Sequence, residues 1–405
     1  MSGSPDENDP VESFRFELRD WLRANFTEDI EAEVRQDDEN LAFKAHRRWN
    51  AALVDAGYGA IAWPIQFGGR GAGLEAQLAY YEEMANVGAP GPVNAIGVAN
   101  IAPAIMALGT VEQRKRFLRP MLRGDEIWSQ GMSEPGAGSD LASLQCRAVL
   151  DGDHFVVNGQ KTWNSNGHRA DWCQLYVRTD IDAPKHKGIT ALLVDMTTPG
   201  IEARPIQSMA GEGGFSELFF TDAHIPPSAL LGEIDDGWSV ATNTLSNERA
   251  GVASMYLMVR RTFDQLLEAA STPGPDGTRP IDSGVNRDLL MTNFQRVHNL
   301  EFLARRTLGM ALSGRSPGPE GSVVKLAWAD TSQRLSRAAV DILGIGALDG
   351  PWGQGLLSGC SLTIAGGTSE VNKNILAERI LGLPREPKPR GSSSSSPPAT
   401  QASTS

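Results

Sequence analysis

Chemistry-bearing residues gather in four short stretches of the chain. "SLTIAGGTSEVNKN" (361–374) sets two glycines, a Thr-Ser pair and Glu370 ahead of a helical run. Such a turn can cap a helix, cradle a phosphate or present a catalytic group. "WSQGMSEPGAGSD" (128–140) offers the hydroxyls of Ser133 and Ser139, and its Gly136 and Gly138 let backbone approach a bulky ligand. A plain Pro-Gly turn is the competing reading. "VVNGQKTWNSNG" (156–167) sets Trp163 and Ser165 in a strand pattern, where core packing is the ordinary role of a tryptophan. In "TLSNERAGV" (244–252) the residues Leu245, Glu248, Val252 and Met255 follow at steps of three, four and three, which puts an acid inside an apolar stripe. A carboxylate there is uncommon unless it is paired or functional. An ion pair with Arg249 or another base is the alternative.

Three kinds of segment must position these stretches. Helical spacing dominates the first 125 residues, beginning with Val11, Phe14, Leu18 and Trp21, and Thr110 is suited to cap the helix "TVEQRKRFLRPML". "WPIQFGGRGAG" (63–73) breaks that pattern. After residue 128, "CRAVLDGDHFVVNGQKTW" holds two hairpin signals, Asp151-Gly152 and Asn158-Gly159, and short strands follow in "WCQLYVRTD", "GITALLVDM" and "SELFFTDAHIP". From Gly237 helices return, with Leu245, Val252, Met255, Val259, Phe263 and Leu266 as one stripe. The expected fold class is α+β: an N-terminal helical domain over 1–127, a middle antiparallel sheet or small barrel over 128–235 and a C-terminal helical bundle over 236–385. The low-complexity tail 386–405 cannot bury a core and is expected to be disordered.

Composition narrows the function. A net charge of −12 over 405 residues argues against a nucleic-acid partner, because phosphate binding needs a basic face. No apolar run reaches the ~20 residues of a membrane-spanning helix. The polar, acidic start reads as neither secretory signal nor transit peptide. Cys146, Cys173 and Cys360 lie far apart with no metal-ligand spacing, and an odd number suits reduced thiols in a cytoplasmic protein.

"SEPGAGSDLAS" followed at this interval by "VVNGQKTWNSNGHRADW" closely resembles the acyl-CoA dehydrogenase family, and "WPIQFGGRG", "GTVEQRKRFLRPMLRGDE" and "GGTSEVNKNILAERILGLP" fit that family in the same order. The resemblance covers roughly residues 11–385. It implies helical, β and four-helix-bundle domains in that order, FAD as cofactor and α,β-dehydrogenation of an acyl-CoA thioester. Carried over position by position, flavin contacts fall on Gln130, Met132 and Ser133, and on Trp163 and Ser165, with the indole beside the isoalloxazine. Ser139 falls near the pyrophosphate or the CoA chain, and Thr368, Ser369 and Glu370 at the head of the last helix fall on the flavin's phosphate or adenine side.

The implied reaction needs a base. An α-proton beside a thioester is weakly acidic, so the site must stabilise the enolate oxygen with fixed donors and hold a carboxylate against the proton. Burial strengthens such a base. Many family members carry it as a Glu directly before "G-T-S", but here that position is Gly366. A minority place it on another helix, and the matching residue is Glu248; Arg249 matches an arginine that such members direct at the CoA, with a surface helix charge as its competing reading. The backbone N–H of Gly366 remains able to hold the thioester carbonyl. Losing the Glu side chain opens space, which suits a branched or polycyclic acyl group.

Two departures concern the flavin's far side. The family's "R-x-x-F-G" pair is replaced by "DGTRPIDSG", leaving Arg279 as a weak substitute, and the "Q-x-x-G-G-x-G" strip reads "DILGIGA" with Asp341 for glutamine. Both are similar to subunits of heteromeric, actinobacterial-type enzymes acting on steroid side chains. The implied partners are an acyl-CoA, an electron-transfer flavoprotein as electron acceptor, and either further copies of the chain or a related subunit in a heteromeric tetramer. A non-catalytic subunit and a flavin oxidase of the same fold are the other readings.

Overall fold

The computed structural model describes residues 9–247, 252–313 and 318–385; Glu248, Arg249 and the tail from 386 lie outside the described residues. Helix α1 (Pro10–Asn25) starts where Asp9 accepts the Val11 N–H at 2.8 Å and proline takes the first helical position. With α2 (Glu28–Val34), α3 (Glu39–Asp55) and α4 (Leu74–Val87) it encloses a core around Leu18, Leu22, Trp49, Leu53 and Met84. Buried Glu83 on α4 is held by Arg15 at 3.1 Å and Arg19 at 2.7 Å, so the charge that α4 buries is compensated from α1. Helices α5 (Ala102–Leu108) and α6 (Val111–Arg123) follow. A reciprocal cap between Thr110 and Gln113 opens α6, and the Gln113 amide also donates to the carbonyls of Ser228 and Leu230. One side chain thereby starts a helix and ties it to the sheet.

The sheet comprises β1 (Trp128–Gly131), β2 (Arg147–Asp151), β3 (His154–Ser165), β4 (Trp172–Arg178), β5 (Ile189–Asp195), β6 (Ile201–Ser208), β7 (Gly211–Ile225) and β8 (Leu230–Leu231). Among the described residues the order is β6-β7-β3-β2-β4-β5-β8, with β1 beside β4. The pairings are antiparallel except that β4 runs parallel to β1 and meets β2 in parallel at Arg147 and Arg178. Asp151 pairs with His154, so the first expected hairpin forms, with Gly152 at φ 59° in its turn. The second does not form. Asn158 and Gly159 lie inside β3, at a register shift against β7 with Gly159 at φ 146°, and the Asn158 amide exchanges hydrogen bonds with Asp222. A dipeptide that favours positive φ serves a bulge here as well as it would a turn.

The C-terminal helices are α7 (Gly237–Asn247), α8 (Val252–Ser271), α9 (Gly284–Leu312), α10 (Gly321–Leu343), α11 (Pro351–Ser358) and α12 (Ser369–Arg379). Helices α8, α9 and α10 pack on one another around Val259, Phe263, Leu266, Leu300 and Leu335, and α11 and α12 pack on α10. Helix α7 instead packs on α5 and β5, and its Val240 and Ala241 share a core with Ile105 and Leu193. The residues leading up to Glu248 are thus fixed to the first two domains, and those following it to the bundle. No helix among the described residues is long and apolar enough to cross a membrane.

Candidate active site

The end of β1 and the far half of β3 form one platform. Their strands are joined by bonds that are mostly not ordinary ladder bonds. The Thr162 N–H donates to the Ser133 carbonyl at 2.9 Å, and Lys161 Nζ donates to the Met132 carbonyl at 3.1 Å. Asn164 Nδ2 donates to the Gln130 carbonyl at 2.6 Å, and Ser129 Oγ to that of Ser165 at 3.1 Å. The Gln130 amide donates to Gln174 on β4 at 3.1 Å. These contacts bring Gln130, Met132, Ser133, Trp163 and Ser165 together on one ribbon.

Trp163 is not a core residue. It stands 58% exposed, whereas Trp128 on β1 is 1% exposed. Its backbone has φ 60°, and the β3–β7 register slips between Lys161 and Asn164. Left-handed backbone costs a bulky L-residue ~1–2 kcal/mol, so the bulge holds the indole in a position that ordinary strand geometry does not reach. Phe215 supports it edge-on, with ring centroids 5.9 Å apart. We expect Trp163→Gly to leave the unliganded protein's melting midpoint within a few degrees of the original. The relieved backbone strain offsets a ring contact of ~0.5–1.5 kcal/mol, whereas retention of a planar cofactor should fall steeply. Trp128→Gly is the control: a buried tryptophan lost costs ~3–5 kcal/mol. Thermal melts and the absorbance of the purified proteins separate the two.

The platform rests on a pair not evident in the sequence. Lys161, wholly buried, donates to Glu134 Oε1 at 2.7 Å, and Glu134 accepts the N–H groups of Gln145 at 2.6 Å and Cys146 at 2.8 Å. Both ends of the glycine loop 134–145 are therefore tied to β3. Its outer side is tied as well: Asp140 accepts from Lys185 at 2.7 Å, and buried Arg178 donates to the carbonyls of Ala142, Lys185 and Lys187. Burial among carbonyls lowers the Arg178 pKa. Ser139 stays exposed on this loop. Apart from the adjoining residues, no heavy atom among the described residues lies within 4 Å of where a Cβ would stand on Gly136 or Gly138. A cavity of about 390 Å³ under the loop is lined by Glu134, Pro135, Gly136, Ser143, Gln145 and Gln160 among others. A larger depression, about 670 Å³, lies elsewhere, between Ile65–Gly68 and α6. Burial pushes Cys146 up to about 11 and Cys173 up to about 12, so neither thiol is a nucleophile at neutral pH. His168, whose Nδ1 lies 2.9 Å from Ser216 Oγ, is held below its ordinary pKa by burial and stays neutral there.

The closing stretch forms a second group. Gly366 and Gly367 have φ 64° and 88°, and Thr368 caps α12 by accepting the Val371 N–H at 3.1 Å. Glu370 lies exposed in the first turn, where it complements the helix dipole. Arg279 is exposed and paired with Asp282 at 2.7 Å, and Asp341 is exposed on α10; the chain itself brings neither to the platform. Lys161, Glu134, Lys325 and Asn372 escaped sequence reasoning, because their partners are backbone carbonyls or residues far away in the chain. A lysine in the strand pattern of β3 was the one available signal.

These residues fit a flavin: a bare indole on a strained bulge, half-buried hydroxyls of Ser133 and Ser165 near it, and an open glycine loop alongside. The comparisons agree. Profiles of the acyl-CoA dehydrogenase N-terminal, middle and C-terminal domains match residues 14–125, 129–223 and 235–381. The chain is 37% identical over 399 residues to the acyl-CoA dehydrogenase IpdE1 of Mycolicibacterium smegmatis, covering 93% of this chain and 99% of that one. To the acyl-CoA dehydrogenase FadE26 of Mycobacterium tuberculosis it is 36% identical, over 92% and 97% of the two chains. Among solved structures, the ChsE4-ChsE5 complex from Mycobacterium tuberculosis superposes with a TM-score of 0.80 at 32% identity, covering 95% of this chain and 100% of that one. The Tcur3481-Tcur3483 steroid ACAD does so with 0.81 at 28% identity, covering 94% and 100%. The chain belongs to the acyl-CoA dehydrogenase family, FAD-dependent oxidoreductases acting on CH–CH bonds.

Proposed function

We propose that this chain dehydrogenates the α,β-bond of an acyl-CoA whose acyl group is branched or polycyclic, of the steroid side-chain type, with Glu248 as the α-proton base. The observation that carries the reading is Gly366: at the position where many relatives keep their base, this chain has no side chain and a backbone at φ 64°. The proton must then be taken from elsewhere, and the vacated volume admits bulk. Bound FAD supplies the acceptor for the β-hydride. The Gly366 N–H holds the thioester carbonyl, and as a fixed backbone donor it stabilises the oxygen as the α-carbon loses its proton. Glu248 takes that proton, and Arg249 and Ser139 meet the CoA. Gln130, Met132, Ser133, Trp163, Ser165, Thr368 and Glu370 seat the flavin. The names of similar structures support the substrate class, since one is a steroid ACAD.

The same comparisons support a heteromeric assembly, because both solved structures named above carry two differently named subunits. Met291, Phe294 and Phe302 on α9 are exposed at helical spacing, an apolar stripe suited to a related subunit, and Arg279 and Asp341 would face that subunit's flavin. Electrons then pass to an electron-transfer flavoprotein. The free cysteines among the described residues suit a cytoplasmic setting. A non-catalytic role in such an assembly is the second reading, favoured by the same missing flavin-side pair.

Anaerobic mixing with a panel of acyl-CoAs tests the proposal. Steroid side-chain and branched thioesters should bleach the flavin band with kcat/KM about tenfold or more above straight medium chains. Preference for straight chains would sink the substrate class, and a protein without flavin absorbance would favour the non-catalytic subunit. Peroxide release during turnover would point to an oxidase.

A further inference from the structure

We propose that Lys325 is a positioning residue for the thioester, pinning the turn that presents the Gly366 N–H; this rests on the role given to Gly366 above. Lys325 stands half-buried in the first turns of α10, and its Nζ donates to the carbonyls of Leu362 at 3.0 Å and Gly367 at 2.7 Å. Those two carbonyls bracket Gly366. Asn372, buried on α12, donates from Nδ2 to the carbonyls of Gly367 at 2.9 Å and Thr368 at 3.0 Å, so it holds the same turn from its far side.

Between these anchors lie two successive glycines in left-handed backbone, the residues with the most conformational freedom to lose. The Gly366 N–H finds no backbone acceptor among the described residues, which leaves it available to a ligand. A backbone donor stabilises a developing oxyanion only while it is aimed at it, so whatever fixes the turn fixes the stabilisation. Asn372 reaches only the helix side of the glycine pair. Lys325 reaches both sides, through charge-assisted bonds stronger than neutral ones. Its role is exerted through the turn, by the two carbonyls that its ammonium holds.

The test uses flavin-loaded protein and acetoacetyl-CoA, whose thioester enolises when its carbonyl oxygen is stabilised. The enolate lying against oxidised flavin adds a long-wavelength absorption band, and titrating that band gives an apparent enolisation pKa. Lys325→Met should keep its flavin content and raise that pKa by about one unit, a tenfold loss of enolate stabilisation. Lys325→Arg, retaining charge in another shape, should fall between. If Lys325→Met does not hold flavin, Lys325→Gln takes its place in the same titration. An unchanged pKa in the variants overturns the proposal and leaves the role of Gly366 standing. Flavin loss in both neutral variants overturns it in favour of a purely structural lysine. No band in the unaltered protein overturns the role of Gly366 and this proposal together.

Discussion

Glu248→Gln is expected to bind acyl-CoA and flavin as the unaltered protein does, and to reduce the flavin about 10²–10⁴-fold more slowly, the usual contribution of a positioned general base. The substitution keeps the volume and one acceptor oxygen and removes the ability to take a proton. Substrate affinity, read from the spectral change on binding before reduction, should hold within a few-fold. A rate loss at constant affinity marks an interaction needed only on the way to the transition state. The elements that flank Glu248 in the chain are both anchored: α7 before it is packed on α5 and β5, while Val259 and Phe263 of α8 after it are buried in the bundle. Full activity in Glu248→Gln would remove the assignment, because an amide is no base.

The second large effect concerns stability. Lys161→Met should cost ~3–5 kcal/mol, because it leaves the Glu134 carboxylate buried without its cation. The two N–H groups of Gln145 and Cys146 remain on Glu134 and hold the loss toward the lower end of that range. Flavin should be lost along with stability, since the same ammonium holds the Met132 carbonyl at the edge of the platform. The double variant Lys161→Met/Glu134→Gln removes the stranded charge and should recover part of the loss, a non-additivity that marks a coupled pair. Urea unfolding midpoints and flavin content measure both. A single variant with the original midpoint and full flavin would show that the pair does not secure the platform.

Much of the fold was legible where structure is local. Thr110 caps α6, and residues 63–73 break the helices through the turn Ile65–Phe67 and Gly68 at φ 94°. The strands and long helices also follow their hydrophobic spacing. Non-local geometry was not legible. The parallel pairing of β1 with β4 joins residues some forty apart, and no turn signal announces it. Asn158-Gly159 read as a hairpin because the dipeptide reports only a preference for positive φ, and both turn and bulge use it. The strain at Trp163 is opposed by every local propensity and is held by its surroundings, as is common where a strand serves a ligand. The candidate site residues were proposed through the resemblance; the side chains that hold their segments in place, Lys161, Glu134, Lys325 and Asn372, are evident only from the three-dimensional structure. The stripe through Leu245 and Val252 lies partly outside the described side chains, and its Val259, Phe263 and Leu266 are buried.

The left-handed turn at Gly366 has a consequence for the lineage of such sites. A carboxylate restored there would sit on backbone that charges any L-side chain ~1–2 kcal/mol, so relocating the proton acceptor is not a one-codon exchange. Chirality at a single hinge of the main chain thus acts as a filter: the turn as it stands takes glycine without strain, and a carboxylate at that point requires the surrounding turn to be rebuilt first.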